Sequence, residues 1–355
     1  HPWPIPHQEP DARATRAFSR KAAYHFGWDW GPRYPTSGIW RPARLEAWSG
    51  VRITDAHVAS LQMLGDTALV RFAVDMEAAG GTAGPPVRVG IRTPDGSFRA
   101  VVENIAAPAV GGPFRWETTL VVPGAELWWP RGAGRGSPRL YDVEVDAVQG
   151  HRWDRRAVRV GLRTVELVTE ADTAGESFLF RVNGAPLFAR GANVVPPDHF
   201  TRRADSAAYA RLVADAAAAN MNMLRVWGGG VYLPDVFYDL ADQAGILVWQ
   251  DFMFANALVP GDSAFAASVA AEAEDQVRRL RRHPSLAIWC GNNEIAEGWA
   301  DWGWQADYAP QVVPEVEAAY RRIFLDVLPG VVARLDGGRP YIPSSPRHGW
   351  GHPES

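Results

Sequence analysis

The sequence has one cysteine, Cys290, and one lysine, Lys21. A lone thiol excludes an internal disulfide and any multi-cysteine zinc site. It leaves the compartment open, and the chain is read as soluble, from a bacterial cytoplasm or periplasm. No apolar run of about 20 residues occurs, so neither a membrane span nor a signal peptide is expected. The formal net charge is -4, and almost all of the positive charge is arginine. That balance gives no basic footprint for nucleic acid. His25, His199 and His348 fall at no metal-ligand spacing and are read as hydrogen-bonding residues. The sequence starts at His1 rather than Met, and both ends are expected to be cut from something longer.

What is present is a globular balance, 47% apolar and 21% charged, which excludes a disordered chain or a collagen-like repeat. A length of 355 residues suggests two or three domains. Tryptophan is over-represented, with 16 copies. Its flat ring stacks on sugar rings, and it also fills β-sandwich cores.

Residues 1–48 are rich in Trp, Pro and Gly and carry one candidate strand, 43–48. They are too few to bury a core, and read as the tail of a domain. Residues 49–165 read as all-β. Val70, Phe72, Val74 and Met76 alternate with Arg71, Ala73, Asp75 and Glu77, the period of a half-buried strand. Gly/Pro turns at short intervals fit an antiparallel sandwich with no ionisable cluster. Residues 166–355 change rhythm. Strands are expected at 186–194, 223–227, 246–250 and 286–290, each followed by a helix, at 203–219, 235–243, 264–282 and 314–334. A fifth strand begins near Tyr341. Strand then helix, repeated, means parallel strands with crossovers. No Gly-x-Gly-x-x-Gly follows the first of them, against a dinucleotide-binding sheet. Asn193, Trp227, Asp251 and Asn292-Asn293-Glu294 fall at the C-terminal strand ends, where an eight-stranded barrel places its active site. A full barrel takes roughly 250 residues, so 166–355 is expected to be an incomplete one.

Glu294 is the strongest candidate for chemistry. It follows the apolar run Leu286-Ala287-Ile288-Trp289-Cys290, and a carboxyl against a dry apolar wall suits a general acid. A helix N-cap with a first-turn Glu would give the same local pattern. Asn293 can donate to a sugar hydroxyl. Trp227 precedes Gly228-Gly229-Gly230 and is expected to expose a ring, or else to pack on the sheet. Glycoside hydrolysis needs two carboxylates, and Glu294 has no convincing partner among the other strand ends.

Six motifs in order resemble the β-mannosidases of glycoside hydrolase family 2. Gly27-Trp28-Asp29-Trp30-Gly31-Pro32, with Ser37-Gly38-Ile39-Trp40-Arg41-Pro42, resembles the end of the family's N-terminal β-sandwich. Leu127-Trp128-Trp129-Pro130 and Leu140-Tyr141 resemble its immunoglobulin-like second domain. Arg190-Gly191-Ala192-Asn193 with Pro196-Pro197-Asp198, Arg225-Val226-Trp227-Gly228-Gly229-Gly230, Trp249-Gln250-Asp251-Phe252 and Gly291-Asn292-Asn293-Glu294 resemble successive strand ends of its (β/α)8 TIM barrel. The resemblance implies a multidomain architecture: a sandwich remnant over 1–48, an immunoglobulin-like sandwich over 49–165 and a truncated barrel over 166–355. It implies a retaining exo-β-mannosidase that releases terminal non-reducing β-mannose from oligosaccharides. Glu294 would be the acid/base, Asn293 would bond near the sugar 2-hydroxyl, and Asp29 would reach in to hold sugar hydroxyls. Trp227, Trp302 and Trp350 would line the pocket, and the resemblance implies no cofactor and no metal. The family's nucleophile is a second Glu on a later strand, and none is expected within these residues. Alternatives within the family are an exo-β-glucosaminidase or an endo-β-mannosidase. Outside it stand a non-catalytic carbohydrate-binding protein and a scaffold or adhesion protein.

Overall fold

The computed structural model describes residues 16–80, 86–93, 95–98, 101–171, 173 and 175–347. Alternation builds the first unit. Strands β1 (Val51–Leu64), β2 (Thr67–Ala78), β3 (Val87–Arg92), β4 (Val101–Ile105), β5 (Gly112–Val122), β6 (Tyr141–Gln149) and β7 (Arg152–Val160) form two antiparallel sheets, in the orders β1-β2-β5 and β4-β3-β6-β7. Val70, Phe72, Val74 and Met76 turn inward, as their period requires, and meet Val89, Val143, Val145 and Leu120 in a single core. The expected strand at 43–48 does not form. No described strand runs beside that segment to complete a ladder, and Leu45 is fully solvated at 99% exposure.

A small antiparallel sheet follows, β8 (Val165–Val168), β9 (Leu179–Val182) and β10 (Ala185–Leu187), in the order β10-β9-β8. The strand expected over 186–194 is therefore two strands. β10 pairs with β9, whereas β11 (Gly191–Val194) pairs with β12. Gly191 permits the switch, because a Cβ there would lie 1.8 Å from the Met223 carbonyl oxygen.

The remaining elements alternate: β11, α1 (Ser206–Ala218), β12 (Met223–Val226), α2 (Asp235–Ala244), β13 (Leu247–Asp251), α3 (Ser263–Leu280), β14 (Leu286–Cys290), α4 (Ile295–Ala300), α5 (Val313–Tyr320), α6 (Leu328–Asp336) and β15 (Tyr341–Ile342). The five strands are all parallel and lie in chain order, β11-β12-β13-β14-β15. A doubly wound sheet reverses strand order at its switch point; this one does not. Val213, Phe237, Tyr238, Val277, Ile323 and Phe324 from the helices join Leu224, Val226 and Val248 from the strands in one core. The opposite face buries Met223, Leu247, Ile288 and Cys290 with Trp128, Phe180 and Leu187. Every residue of β14 is buried. Gly245 ends α2 in the left-handed conformation expected of a C-cap glycine. The helix expected over 314–334 is interrupted by a π-helical turn, Arg321–Val327. Pro329 lacks the N–H that would bond Leu325, so the ladder widens just before it.

The sandwich does carry an ionisable cluster, contrary to expectation. Arg281, at the end of α3, donates to Asp55 Oδ2 from Nε (3.0 Å) and Nη2 (2.6 Å), and to Asp75 Oδ2 from Nη2 (2.7 Å). Its Nη1 donates to the Leu335 carbonyl at 2.8 Å. Burial pushes the Asp55 carboxyl up, but the hydrogen bond with His57 and the charge of Arg281 outweigh it and hold the group well below its ordinary range. Trp128 makes a second joint: it is fully buried, and its indole N–H donates to the Asp242 carbonyl at 2.9 Å.

Candidate active site

The C-terminal ends of β12, β13 and β14 converge on one hydrogen-bonded network. Arg225 leaves β12 and reaches across the sheet. Its Nε and Nη2 donate to Asp251 Oδ1 (3.2 Å) and Oδ2 (2.7 Å). Nη2 also donates to Asn293 Oδ1 at 2.9 Å. Asp251 is fully buried and accepts two further bonds, from the Gly228 N–H and the Trp249 indole N–H, each at 2.9 Å. Burial pushes its carboxyl up, while Arg225, Gly228 and Trp249 oppose that shift. Both oxygens are thus engaged in holding Arg225, so Asp251 is a structural carboxylate. Gly228 has no side-chain alternative: a Cβ there would sit 2.4 Å from the Phe254 carbonyl.

Beyond β13 and β14 the chains continue as irregular parallel rungs. Asn293 pairs with Ala255 on one side and Ser345 on the other. Glu294 donates its backbone N–H to the Ser345 carbonyl at 3.0 Å. It adopts the left-handed conformation, with φ 62°, an uncommon one for a non-glycine residue and a frequent mark of functional sites. Its Oε2 accepts from Asn256 Nδ2 (2.7 Å) and Asn293 Nδ2 (3.0 Å). The expected dry wall is therefore a pair of side-chain amides. The capping role falls to the neighbouring Asn292, whose Oδ1 accepts from the Ile295 N–H at 3.0 Å and from Ser344 Oγ at 2.8 Å. Cys290 is buried, and burial pushes its thiol well up, which makes it inert.

Glu294 and Asn293 are brought together as the sequence suggested. Of the two readings of Trp227, an exposed ring or a packed one, the structure has the packed one. It is 6% exposed, with the edge of Trp28 at 4.8 Å and that of Trp30 at 6.2 Å between ring centroids. Apolar area is better buried than solvated, and the indole lies over the adjoining Gly229, where a Cβ would come within 2.0 Å of it. The exposed aromatic face here is Trp30, at 43%. Asp29 is exposed at the tip of a tight turn closed by two bonds between Trp28 and Gly31. It makes no hydrogen bond or ion pair with Glu294 or Asn293. Trp302 is also exposed and meets Trp304 edge-on at 5.8 Å. Trp350 and His348 lie outside the described residues. Beside the turn, His199 packs against Tyr24 and Tyr34 and makes no ring hydrogen bond among the described residues, correcting its expected role. His25 keeps one, to the His199 carbonyl at 3.3 Å.

Two members of the network were not singled out from the sequence, Arg225 and Asn256. Arg225 stood only within a motif. Asn256 had a legible signal: it is the one polar residue in the run Phe252-Met253-Phe254-Ala255-Asn256-Ala257-Leu258-Val259. Among the described residues, two groups of acidic and histidine side chains are close enough to share a cation, Asp55–His57–Asp75 and Asp239–Asp242–His283. The first already holds the Arg281 guanidinium, and neither includes Glu294. No described helix is long and apolar enough to cross a membrane.

The family described as glycosyl hydrolase 2 galactose-binding domain-like matches residues 1–41. A β-mannosidase of Bos taurus is 36% identical over 98% of this chain and 40% of its own length. The crystal structure of a β-D-mannosidase from Dictyoglomus thermophilum superposes with a TM-score of 0.87 at 39% identity, covering 99% of this chain and 41% of that one. An exo-chitosanase of Amycolatopsis orientalis shares the fold at 21% identity, with a TM-score of 0.61 over 83% of this chain and 32% of that one. The chain thus spans about 40% of the length of the curated relatives it matches. Over nearly all of its own length the chain is similar to β-mannosidases, and residues 1–41 match the glycosyl hydrolase 2 galactose-binding domain-like family.

Proposed function

We propose that this chain forms part of a retaining exo-β-mannosidase, acting on terminal non-reducing β-mannose of oligosaccharides. The observation that carries this is Glu294: a half-buried carboxyl at the C-terminal end of a buried parallel strand, fixed by two amides that an arginine orients. General acid–base catalysis needs a carboxyl held in hydrogen-bond reach of the leaving oxygen, and this end of the sheet is where barrel enzymes assemble such groups. In this proposal Glu294 protonates the glycosidic oxygen and later activates water. Asn293 meets the sugar near its 2-hydroxyl, and Asp29, Trp302 and Trp350 approach from the surrounding loops. Trp227, packed behind the Trp28–Trp30 turn, is assigned to the wall of the same pocket.

Retention also requires an attacking carboxylate about 5 Å from the acid. Among the described residues, no second carboxylate bonds within the Glu294 network except Asp251, whose oxygens are engaged. Following the resemblance, the nucleophile is assigned to a second Glu on a later strand. Residues 1–48 are assigned to the end of a sugar-binding sandwich, 49–165 to an immunoglobulin-like domain and 166–355 to the first part of a TIM barrel.

The test is a rate comparison by the full-length polypeptide on aryl β-mannoside, β-glucoside and β-glucosaminide. A kcat/KM highest for the mannoside is expected. Preference for the glucosaminide would replace the substrate, and sugar binding without turnover of any of the three would replace the activity with a binding role.

A further inference from the structure

We infer that Asn256 is a positioning residue that decides which oxygen of Glu294 carries the reacting proton. This rests on the reading of Glu294 as the acid/base. Asn256 is 5% exposed and left-handed, with φ 48°, a conformation that asparagine tolerates better than most residues. Its backbone N–H donates to the Asn293 carbonyl at 3.0 Å, and Asn293 returns a bond to the Phe254 carbonyl at 2.9 Å. The residue is thus clamped to the strand end that bears Glu294.

The direction of every side-chain bond follows from one fixed point. A guanidinium only donates. Arg225 therefore makes the atom it meets on Asn293 the carbonyl oxygen, and the other end of that amide the NH2. That NH2 donates to Asn256 Oδ1 at 2.9 Å. Asn256 must then present its own NH2 to Glu294 Oε2, at 2.7 Å. Turning either amide over would set donor against donor and a carbonyl against a carboxylate. Oε2 consequently faces two N–H donors, from Asn256 and Asn293. An amide N–H cannot accept a hydrogen bond, so a proton on Oε2 would take one of the two lone-pair directions that these donors use and displace one of them. No described residue donates to Oε1. The acid proton resides on Oε1 and leaves from it to the glycosidic oxygen, whose bond to the anomeric carbon breaks as the proton arrives. The returning proton, taken from the attacking water in the second step, goes back to the same oxygen.

A substrate whose leaving group needs no protonation separates this role from a structural one. Two variants of the full-length polypeptide serve. Asn256→Gly keeps the left-handed backbone and removes the amide. Asn256→Asp keeps the shape and replaces the donor with a carboxylate oxygen. The measurement is kcat/KM on a mannobiose, which needs the acid, and on 2,4-dinitrophenyl β-mannoside, which does not. Both variants are expected to lose at least about tenfold more on the mannobiose than on the dinitrophenyl substrate, part of the 10²–10⁴ range typical of general acid catalysis. Equal losses on the two substrates, or no loss on either, would overturn the inference. A wild-type enzyme that cleaves neither substrate refutes the reaction itself, which is a separate failure.

Discussion

Replacing Arg225 with Met tests the network at its charged end. Among the described residues, Arg225 is the only cation that bonds Asp251, a fully buried carboxylate. Removing one partner of a buried pair costs about 3–5 kcal/mol, because the other charge stays buried and uncompensated. Asp251 retains the Gly228 and Trp249 N–H donors, so the lower end, about 3 kcal/mol, is expected. With a urea slope of about 1–3 kcal/mol per molar, that moves the unfolding midpoint down by roughly 1 M or more. The charge can be relieved in two ways. Asp251→Asn on the Arg225→Met background removes the charge but keeps one acceptor, for either the Gly228 or the Trp249 N–H, so the double variant should recover part of the stability that the single one loses. Acid should do the same. Burial already pushes Asp251 up against the pull of Arg225, and without that pull the shift grows. A carboxyl raised in the folded state contributes stability below its unfolded value, about 3.9, and loses it as pH rises through the folded value. The deficit of Arg225→Met should therefore widen between about pH 4 and pH 7. Urea unfolding of the three variants across that range is the assay. A single-variant cost below about 1 kcal/mol, or a double variant no better than the single, would refute the buried-pair reasoning.

Other expectations follow from the same contacts. Arg281→Met leaves Asp55 and Asp75 facing each other at the joint between the sandwich and α3; a loss of about 3–5 kcal/mol in urea unfolding is expected, and a change within 0.5 kcal/mol would contradict it. Trp227→Ala should cost about 3–5 kcal/mol by cavity formation, whereas Trp30→Ala, at an exposed ring, should barely move the melting temperature; equal effects would show the burial order to be wrong. Burial, helped by the nearby charge of Lys21, lowers His25 to about 4. The neutral imidazole then contributes stability above its unfolded value, about 6.5, that is lost as pH falls toward 4. A proton NMR titration of the His25 ring should show no midpoint near 6.5; one at that value would contradict it.

Periodicity made the strands legible wherever one or both faces are buried. The alternation of Val70 to Met76 and the run Leu286–Cys290 required no knowledge of partners. Strand ends then located Glu294, since parallel sheets offer their loops at one end. What stayed hidden depends on distant partners. Asp55 and Arg281 are 226 positions apart, so neither looks paired in the sequence. The burial of Trp227 comes from Trp28 and Trp30, on a turn from the other end of the chain. The split of 186–194 into β10 and β11 is decided by which neighbours each half meets, not by its composition. Residues 43–48 show the converse: a strand-like pattern gives no strand without a neighbour to bond. Asn256 was legible as the lone polar residue in an apolar run, but its bond to Glu294 required the rung between Ala255 and Asn293.

The most direct measurement is hydrolysis of an aryl β-mannoside by the full-length polypeptide and by its Glu294→Gln variant. If Glu294 is the acid/base, the variant keeps the fold and loses about 10²–10⁴-fold in kcat/KM on a poor leaving group. A variant that cleaves that substrate as fast as the wild type would contradict the assignment of Glu294.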